Sequence, residues 1–363
     1  YLATVTDSSS TSYTFGKNMD QNYGTTAIDE YAVDVTWEVA DKTDIGVDMR
    51  LLNNKLNLQF DYFKESREGI YLRRSSIPSY VGMINNPYGN IGKVENKGFE
   101  LSVNYANSWG GDWSLSLMGN YSFNRNKVLE DDSTVVYPWQ NTIGNKVGQR
   151  FGLVALGLFE SYGEIAASPV QTGDTRPGDI KYKDINGDGK IDEYDKVPIG
   201  WGSVPEIMYG FGFSVGWKNL SLTAMFQGAA HVDAMLSGEG VLPFSQGSSR
   251  GNLLSNIRWT EENPRQNAFY PRLSIGNINM NYEESTWWLK DTDYLRLKNI
   301  ELSYRLPDHW MKRIHLDNAR IFIQGVNLLT FSSFKIWDVE LGDGRGARYP
   351  NIASVSLGVN FNF

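Results

Sequence analysis

The stretch Ala353-Ser354-Val355-Ser356-Leu357-Gly358-Val359-Asn360-Phe361-Asn362-Phe363 decides the fold. Odd positions are apolar and even positions are small or polar. Successive side chains of a strand point to opposite faces, so one face of this segment is greasy and the other wet. A strand of about ten residues that ends on an aromatic suits a transmembrane β-barrel, where it crosses the hydrocarbon and finishes in an aromatic girdle. A half-buried strand of a soluble sandwich would alternate in the same way, so the decision passes to the rest of the chain.

Eight further segments alternate. They centre on Ile45–Arg50, Leu56–Tyr62, Phe99–Tyr105, Trp113–Phe123, Tyr209–Trp217, Leu220–Gln227, Tyr294–Leu306 and Ala319–Leu329. The connections between them sort by length. Asn53-Asn54, Ser108-Trp109-Gly110-Gly111, Lys218-Asn219 and the stretch from His309 to Asn318 are short. Residues 65–96, 128–206, 230–293 and 331–351 are long. Short and long alternate without exception, as in an outer-membrane barrel with tight periplasmic turns and long outward loops. A soluble sandwich has no reason to sort its loops in this way. The expected fold is therefore all-β: nine strands of a transmembrane antiparallel β-barrel. With Phe363 on the periplasmic side, nine strands put residues 1–40 in an extracellular segment, and residues 41–363 form the wall. An odd strand count leaves open edges in lipid. The expectation is a C-terminal piece of a longer protein, starting within an outward loop. The first residues, Tyr1-Leu2-Ala3-Thr4, lack the basic and apolar regions of a signal peptide.

Composition agrees. Among 363 residues there are 36 Gly, 11 Trp, 20 Tyr and 17 Phe but 12 Pro, which reads as all-β. There is no Cys, which excludes disulfides and thiolate metal sites. The formal net charge of −8 argues against nucleic acid as a partner. The mean hydropathy of −0.39 does not exclude the membrane, since barrel strands are only half apolar.

One loop carries a metal motif. In Asp184-Ile185-Asn186-Gly187-Asp188-Gly189-Lys190-Ile191-Asp192-Glu193-Tyr194-Asp195, oxygen ligands fall at positions 1, 3 and 5 of a twelve-residue calcium loop. Gly189 permits the sharp turn, Lys190 offers its carbonyl, Asp192 takes position 9 and Asp195 stands where Glu is usual. Asp reaches less far as a bidentate ligand, so Mg²⁺ is admitted beside Ca²⁺. Flanking helices are not expected, because Pro177-Gly178 precede the loop and Pro198 and Gly200 follow. Its role would be to staple the longest loop. An Asn-Gly/Asp-Gly turn cluster uses the same residues and is the competing reading.

Other chemistry is thin. Gly212-Phe213-Ser214-Val215-Gly216 matches a nucleophile elbow in letters but sits inside an alternating strand. His231, His309 and His315 are scattered. Asp131-Asp132, Glu261-Glu262 and Glu283-Glu284 are adjacent carboxylates that face apart, unlike a glycosidase pair. No enzyme is expected. Trp113, Trp217 and Tyr304 read as girdle residues. Trp201, Trp259, Trp287, Trp288 and Trp337 fall in loops, where an indole either contacts a ligand or partner or packs among the loops themselves.

Taken together, Trp37-Glu38, Thr43-Asp44-Ile45-Gly46-Val47-Asp48, Leu52-Asn53-Asn54-Lys55-Leu56, Asn96-Lys97-Gly98-Phe99-Glu100-Leu101, Gly178-Asp179-Ile180-Lys181-Tyr182, Phe226-Gln227-Gly228, Tyr294-Leu295-Arg296-Leu297-Lys298-Asn299 and Gly325-Val326-Asn327-Leu328-Leu329-Thr330 resemble the C-terminal half of SusC/RagA-type TonB-dependent transporters of Bacteroidetes. The resemblance covers nearly everything beyond residue 35. It implies a barrel of about 22 strands with a plugged lumen, import of oligosaccharides or peptides, a SusD-like surface lipoprotein as lid, and energy from a TonB–ExbB–ExbD complex. The plug and the TonB-contacting segment of that family lie in the N-terminal half and are not seen in this sequence. The loop tryptophans tilt the expected cargo toward a glycan. A passive or adhesive barrel and a secreted glycan-binding β protein are the competing functions.

Overall fold

The computed structural model describes residues 4–16, 21–30, 35–81, 86–238, 240–244, 257–313 and 316–362. Phe363 and His315, for which the sequence predicts periplasmic positions, lie outside the described residues. The chain begins with the antiparallel pair β1 (Thr4–Phe15) and β2 (Gln21–Glu30), both inside the stretch expected as an extracellular segment. Four long strands follow: β3 (Val39–Leu51), β4 (Leu56–Arg73), β5 (Tyr88–Trp109) and β6 (Trp113–Glu130). Six short strands come next: β7 (Arg150–Gly152), β8 (Ala155–Leu158), β9 (Val170–Gln171), β10 (Ile180–Tyr182), β11 (Lys190–Ile191) and β12 (Val197–Ile199). Then come β13 (Ile207–Trp217), β14 (Leu220–Ala230), β15 (Asp233–Met235), β16 (Leu289–Asp291), β17 (Tyr294–Arg305), β18 (Asn318–Ser332) and β19 (Ser354–Asn362). Among the described residues no helix is long and apolar enough to cross a membrane.

Nine strands form one sheet in the order β3-β4-β5-β6-β13-β14-β17-β18-β19. They are the nine alternating segments of the sequence, each paired with its neighbour in the chain. The short turns form as the residues dictate. Leu52, Asn53 and Asn54 take φ of 54°, 55° and 66°, and Gly110 and Gly111 take 59° and 77°. Asn and Gly tolerate this left-handed region, which tight hairpins of twisted strands require.

The chain divides into two compact units: Tyr1–Asp44, Phe63–Lys97 and Arg125–Val147, and Ile45–Tyr62, Gly98–Asn124 and Gly148–Phe363. In the first unit the strands outrun their apolar pattern. β4 continues to Arg73 and β5 starts at Tyr88, so the loop expected over 65–96 shrinks to 74–87. The reason is chemical. Lys42–Glu65, Lys64–Glu95 and Lys93–Glu68 are ion-paired, the first two at 3.2 and 2.8 Å, and Arg67 joins Glu65 at 2.8 Å. Both faces are polar there, so no greasy stripe marks the strand. Such pairs are screened by water and contribute little to stability, but they satisfy both faces of the strand. Asp132 caps the end of the shortened loop, accepting from the Ser76 N–H and Oγ at 3.0 and 2.7 Å.

In the second unit the register fixes two faces. One row across the sheet reads Leu117, Phe213, Ala224, Ile300, Gly325 and Val355. The adjacent row reads Ser116, Ser214, Thr223, Glu301, Gln324 and Ser356. Apart from the small Ala224, which is 4% exposed, the apolar row is not tucked into a protein core: Val355 is 63% exposed and Leu117 42%. Toward the short turns, Trp113, Trp217, Leu220, Tyr304, Ile321 and Val359 align in a third row, with the two indoles 6.1 Å apart. This row brings together Trp113, Trp217 and Tyr304, the three residues expected in an aromatic girdle. The wet face is bound together by its own polar groups: Ser221 and Ser303 hydroxyls at 2.7 Å, Thr223 to Ser214 at 3.0 Å, and Arg320 to Glu301 at 2.7 Å. Ser214 is a wall residue hydrogen-bonded in mid-strand, and no strand-to-helix turn follows it.

Candidate functional site

The apolar core of the second unit lies in its loops. Leu153, Ile180, Tyr182, Ile191, Leu236, Trp259, Tyr270, Trp288, Phe334 and Val339 bury one another, drawing on all three long connections of this unit. Short pairings brace them. β7 pairs β12, β8 pairs β10 and β15 pairs β16, all antiparallel, while β9 and β11 run parallel. These strands are too brief to show a period in the sequence.

Two buried charge networks tie the loops across long sequence separations. Asp179 is almost wholly buried. It accepts from Arg272 Nε and Nη2 at 3.0 and 2.9 Å, from Asn281 at 2.8 Å and from the Arg176 N–H at 2.9 Å. Arg296, at the start of β17, donates to Asp338 at 2.8 Å and to Glu340 at 2.7 Å, and Tyr294 also donates to Glu340, at 2.8 Å. Burial works to raise the Asp338 carboxyl, but the Arg296 guanidinium and the Glu340 N–H outweigh it and hold it below the usual range.

The loop of Asp184 to Asp195 closes on itself. Asp184 accepts from the N–H groups of Gly187 and Gly189 at 2.7 and 2.9 Å, Asn186 from Asp188 at 3.0 Å and Asp188 from Lys190 at 2.8 Å. Buried Asp195 accepts from Ile185 and Asp192 at 2.7 and 2.9 Å, joining the two ends of the loop. Asp192 caps the following turn through the Tyr194 N–H. The oxygens of the motif thus face backbone donors. Among the described residues, no group of three or more His, Cys, Asp or Glu side chains is arranged to hold a metal ion.

The five loop tryptophans separate. Trp288 is 1% exposed and donates to the Asn281 carbonyl at 2.7 Å. Trp259 is 5% exposed and lies so close over Gly178 that a Cβ there would stand 2.1 Å from the ring. Trp287 donates to the Phe269 carbonyl at 3.2 Å, and Trp337 meets Phe334 edge-on at 5.2 Å. Burial puts Trp259 and Trp288 out of a ligand's reach; both hold the loops together. Trp201 is 41% exposed, stacked on His231.

The wet face is not uniformly polar. Met118, Met208 and Met225 occupy wet-face positions and are exposed. Met118 and Met225 flank Gly212, lining a groove with Ser116, Ser214, Thr223, Asn299 and Glu301. Their even spacing with the polar residues was the available signal. The Asp179–Arg272 and Arg296–Asp338 pairs had none, since their partners lie 93 and 42 residues apart.

A sheet whose apolar face is exposed, with its apolar core moved into the loops at one end, defines an outer-membrane β-barrel. Residues 5–328 match the TonB dependent receptor-like β-barrel, and the chain belongs to that family. It is similar to TonB-dependent receptor P3 of Formosa agariphila, with 27% identity over 95% of this chain and 36% of that protein. It is also similar to TonB-dependent receptor SusC of Bacteroides thetaiotaomicron, with 24% identity over 97% of this chain and 34% of that protein. The solved RagAB peptide importer in its open-open state superposes with a TM-score of 0.70 at 20% identity, over 100% of this chain and 38% of that one, and shows the same fold. The chain thus spans about a third of the length of the curated relatives it matches. These relatives are receptors and transporters by name, and no enzyme family is indicated.

Proposed function

We propose that this chain is the C-terminal part of the barrel of an active importer of SusC/RagA type, and that the cargo is an oligosaccharide. The observation that carries the proposal is the two-faced wall: an exposed apolar face suited to lipid and a face of Ser, Thr, Asn, Gln and Gly suited to a wet lumen. Among the described residues β3 and β19 are the edges of that sheet, and a wall in lipid closes its edges with further strands, which supports a barrel of more strands than these nine. In that reading a SusD-like surface lipoprotein covers the mouth, TonB–ExbB–ExbD supplies energy through the plug-bearing part, and no bond of the cargo is made or broken. Uptake of labelled oligosaccharides by cells is the test. Deleting the gene, or collapsing the inner-membrane proton gradient, is expected to abolish it. Uptake that survives the collapse would show a passive barrel instead. An oligopeptide cargo is the second reading, favoured by Met118, Met208 and Met225, whose soft thioethers suit varied apolar side chains.

The proposal includes a Ca²⁺ or Mg²⁺ in the 184–195 loop, on the oxygens of Asp184, Asn186, Asp188, Asp192 and Asp195 and the Lys190 carbonyl. Ligand spacing supports it; the cation would draw these oxygens away from the N–H groups they now accept from. Chelation, or Asp184→Ala with Asp188→Ala, is expected to increase protease cleavage within 178–200. Equal cleavage with and without chelator would contradict a bound cation.

A further inference from the structure

The exposed indole of Trp201 is held with unusual firmness. Gly200 and Gly202 on either side take φ of 63° and 95°. A Cβ on Gly200 would stand 2.2 Å from Asp233 Oδ2. The Trp201 N–H donates to that same carboxylate, and the Asp233 N–H donates to the Gly202 carbonyl at 2.9 Å. The indole lies flat against the His231 imidazole, with centroids 3.9 Å apart and planes 3° from parallel. His231 takes φ of 56°, a region that a non-glycine residue enters at some cost. Its Nδ1 stands 3.2 Å from Glu206, which is buried. Two glycines of positive φ, a strained histidine and two buried carboxylates thus fix one large aromatic that remains exposed.

The surroundings are acidic. Asp233 faces Asp291 in register across β15 and β16, and Asp293 accepts from the Val232 N–H at 3.2 Å. The nearby Arg150 guanidinium is engaged by both oxygens of Asp343 at 2.6 Å. A flat, rigid indole offers large contact area at low entropic cost. In this cluster the exposed Asp291 and the half-buried Asp293 can accept hydrogen bonds from hydroxyl groups, and the cluster as a whole repels anions.

We propose that Trp201, positioned by His231, Glu206 and Asp233, is the stacking platform for an uncharged pyranose ring of the imported glycan. The proposal rests on the glycan-import reading above and adds its contact residue and charge class. The test is calorimetric binding by the whole receptor with its lipoprotein partner, using maltohexaose, laminarihexaose, mannohexaose and cellohexaose as neutral probes and hexagalacturonate as the acidic one. At least one neutral probe is expected to bind, and hexagalacturonate to bind about tenfold more weakly than it. Trp201→Ala should weaken the neutral probe about tenfold, while Trp201→Phe stays within about threefold. His231→Phe, which keeps a stacked ring, should bind better than His231→Ala. A neutral probe that binds Trp201→Ala as well as the parent would overturn the platform and leave glycan import standing. Equal or tighter binding of hexagalacturonate would overturn the charge assignment. Binding of no saccharide by the parent receptor would overturn the glycan reading and the platform with it.

Discussion

In the wall, Leu357 is 78% exposed and Leu117 42%, while in the loops Tyr270 is fully covered and Trp288 is 1% exposed. The same chain therefore treats its apolar side chains in two ways. The wall turns them outward because lipid tails bury them; the loops turn them inward because water surrounds them. The difference shows that the two regions fold against different solvents. Substitutions that are mild in one should be severe in the other.

The largest effects should lie in the loop core. Asp179→Ala removes the buried acceptor of the partly exposed Arg272, of Asn281 and of the Arg176 N–H, and is expected to destabilise the loops by about 3 kcal/mol. Trp288→Ala opens a cavity of similar cost, about 3–5 kcal/mol. Limited proteolysis of 148–206 and 257–293 reads both changes, and the barrel should still assemble. If the barrel also failed to assemble, the two regions would not be separable. Next comes the wall. Leu117→Arg should destabilise the barrel by about 2–4 kcal/mol in a bilayer, whereas Ser116→Arg on the wet face should be close to neutral. Urea unfolding in liposomes measures the pair, and equal costs would erase the distinction between faces.

The smallest effect is the pH response of the loops. The folded carboxyl of Asp338 lies below its unfolded value, so its stabilisation is full above about pH 4 and is lost as pH falls through the folded value. Asp233 and Asp293 act oppositely. Burial raises both, so on acidification they recover stability between their raised folded values and the unfolded one near pH 4. The loops should hold or gain slightly down to about pH 4 and lose stability below it. Asp338→Asn should flatten the loss, as seen in hydrogen exchange of 331–351. An unchanged loss in that variant would remove Asp338 from the account.

How much of this was legible follows from the same contrast. Every wall strand was readable, because lipid on one side and water on the other impose a period of two on residues such as 353–361. Strand length was not: beyond Tyr62 on β4, Lys64, Glu65, Arg67 and Glu68 meet polar surroundings on both faces, and the period vanishes. The loop core was hidden because strands of two to four residues carry no pattern and its charge pairs join distant segments. The tryptophans were legible as loop residues but not as buried ones. Trp288 and Trp201 look alike in sequence, and only packing tells the loop core from the exposed platform.

Along β19, odd positions meet lipid and even positions meet water. The chain has no cysteine, so single spin labels at successive positions 353–360 of the whole receptor in liposomes can be read one at a time. Lipid-soluble oxygen should relax labels at 353, 355, 357 and 359 most, and a water-soluble nickel chelate those at 354, 356, 358 and 360. The two profiles should alternate out of phase with a period of two. Profiles in phase, or oxygen maxima at the even positions, would contradict the account.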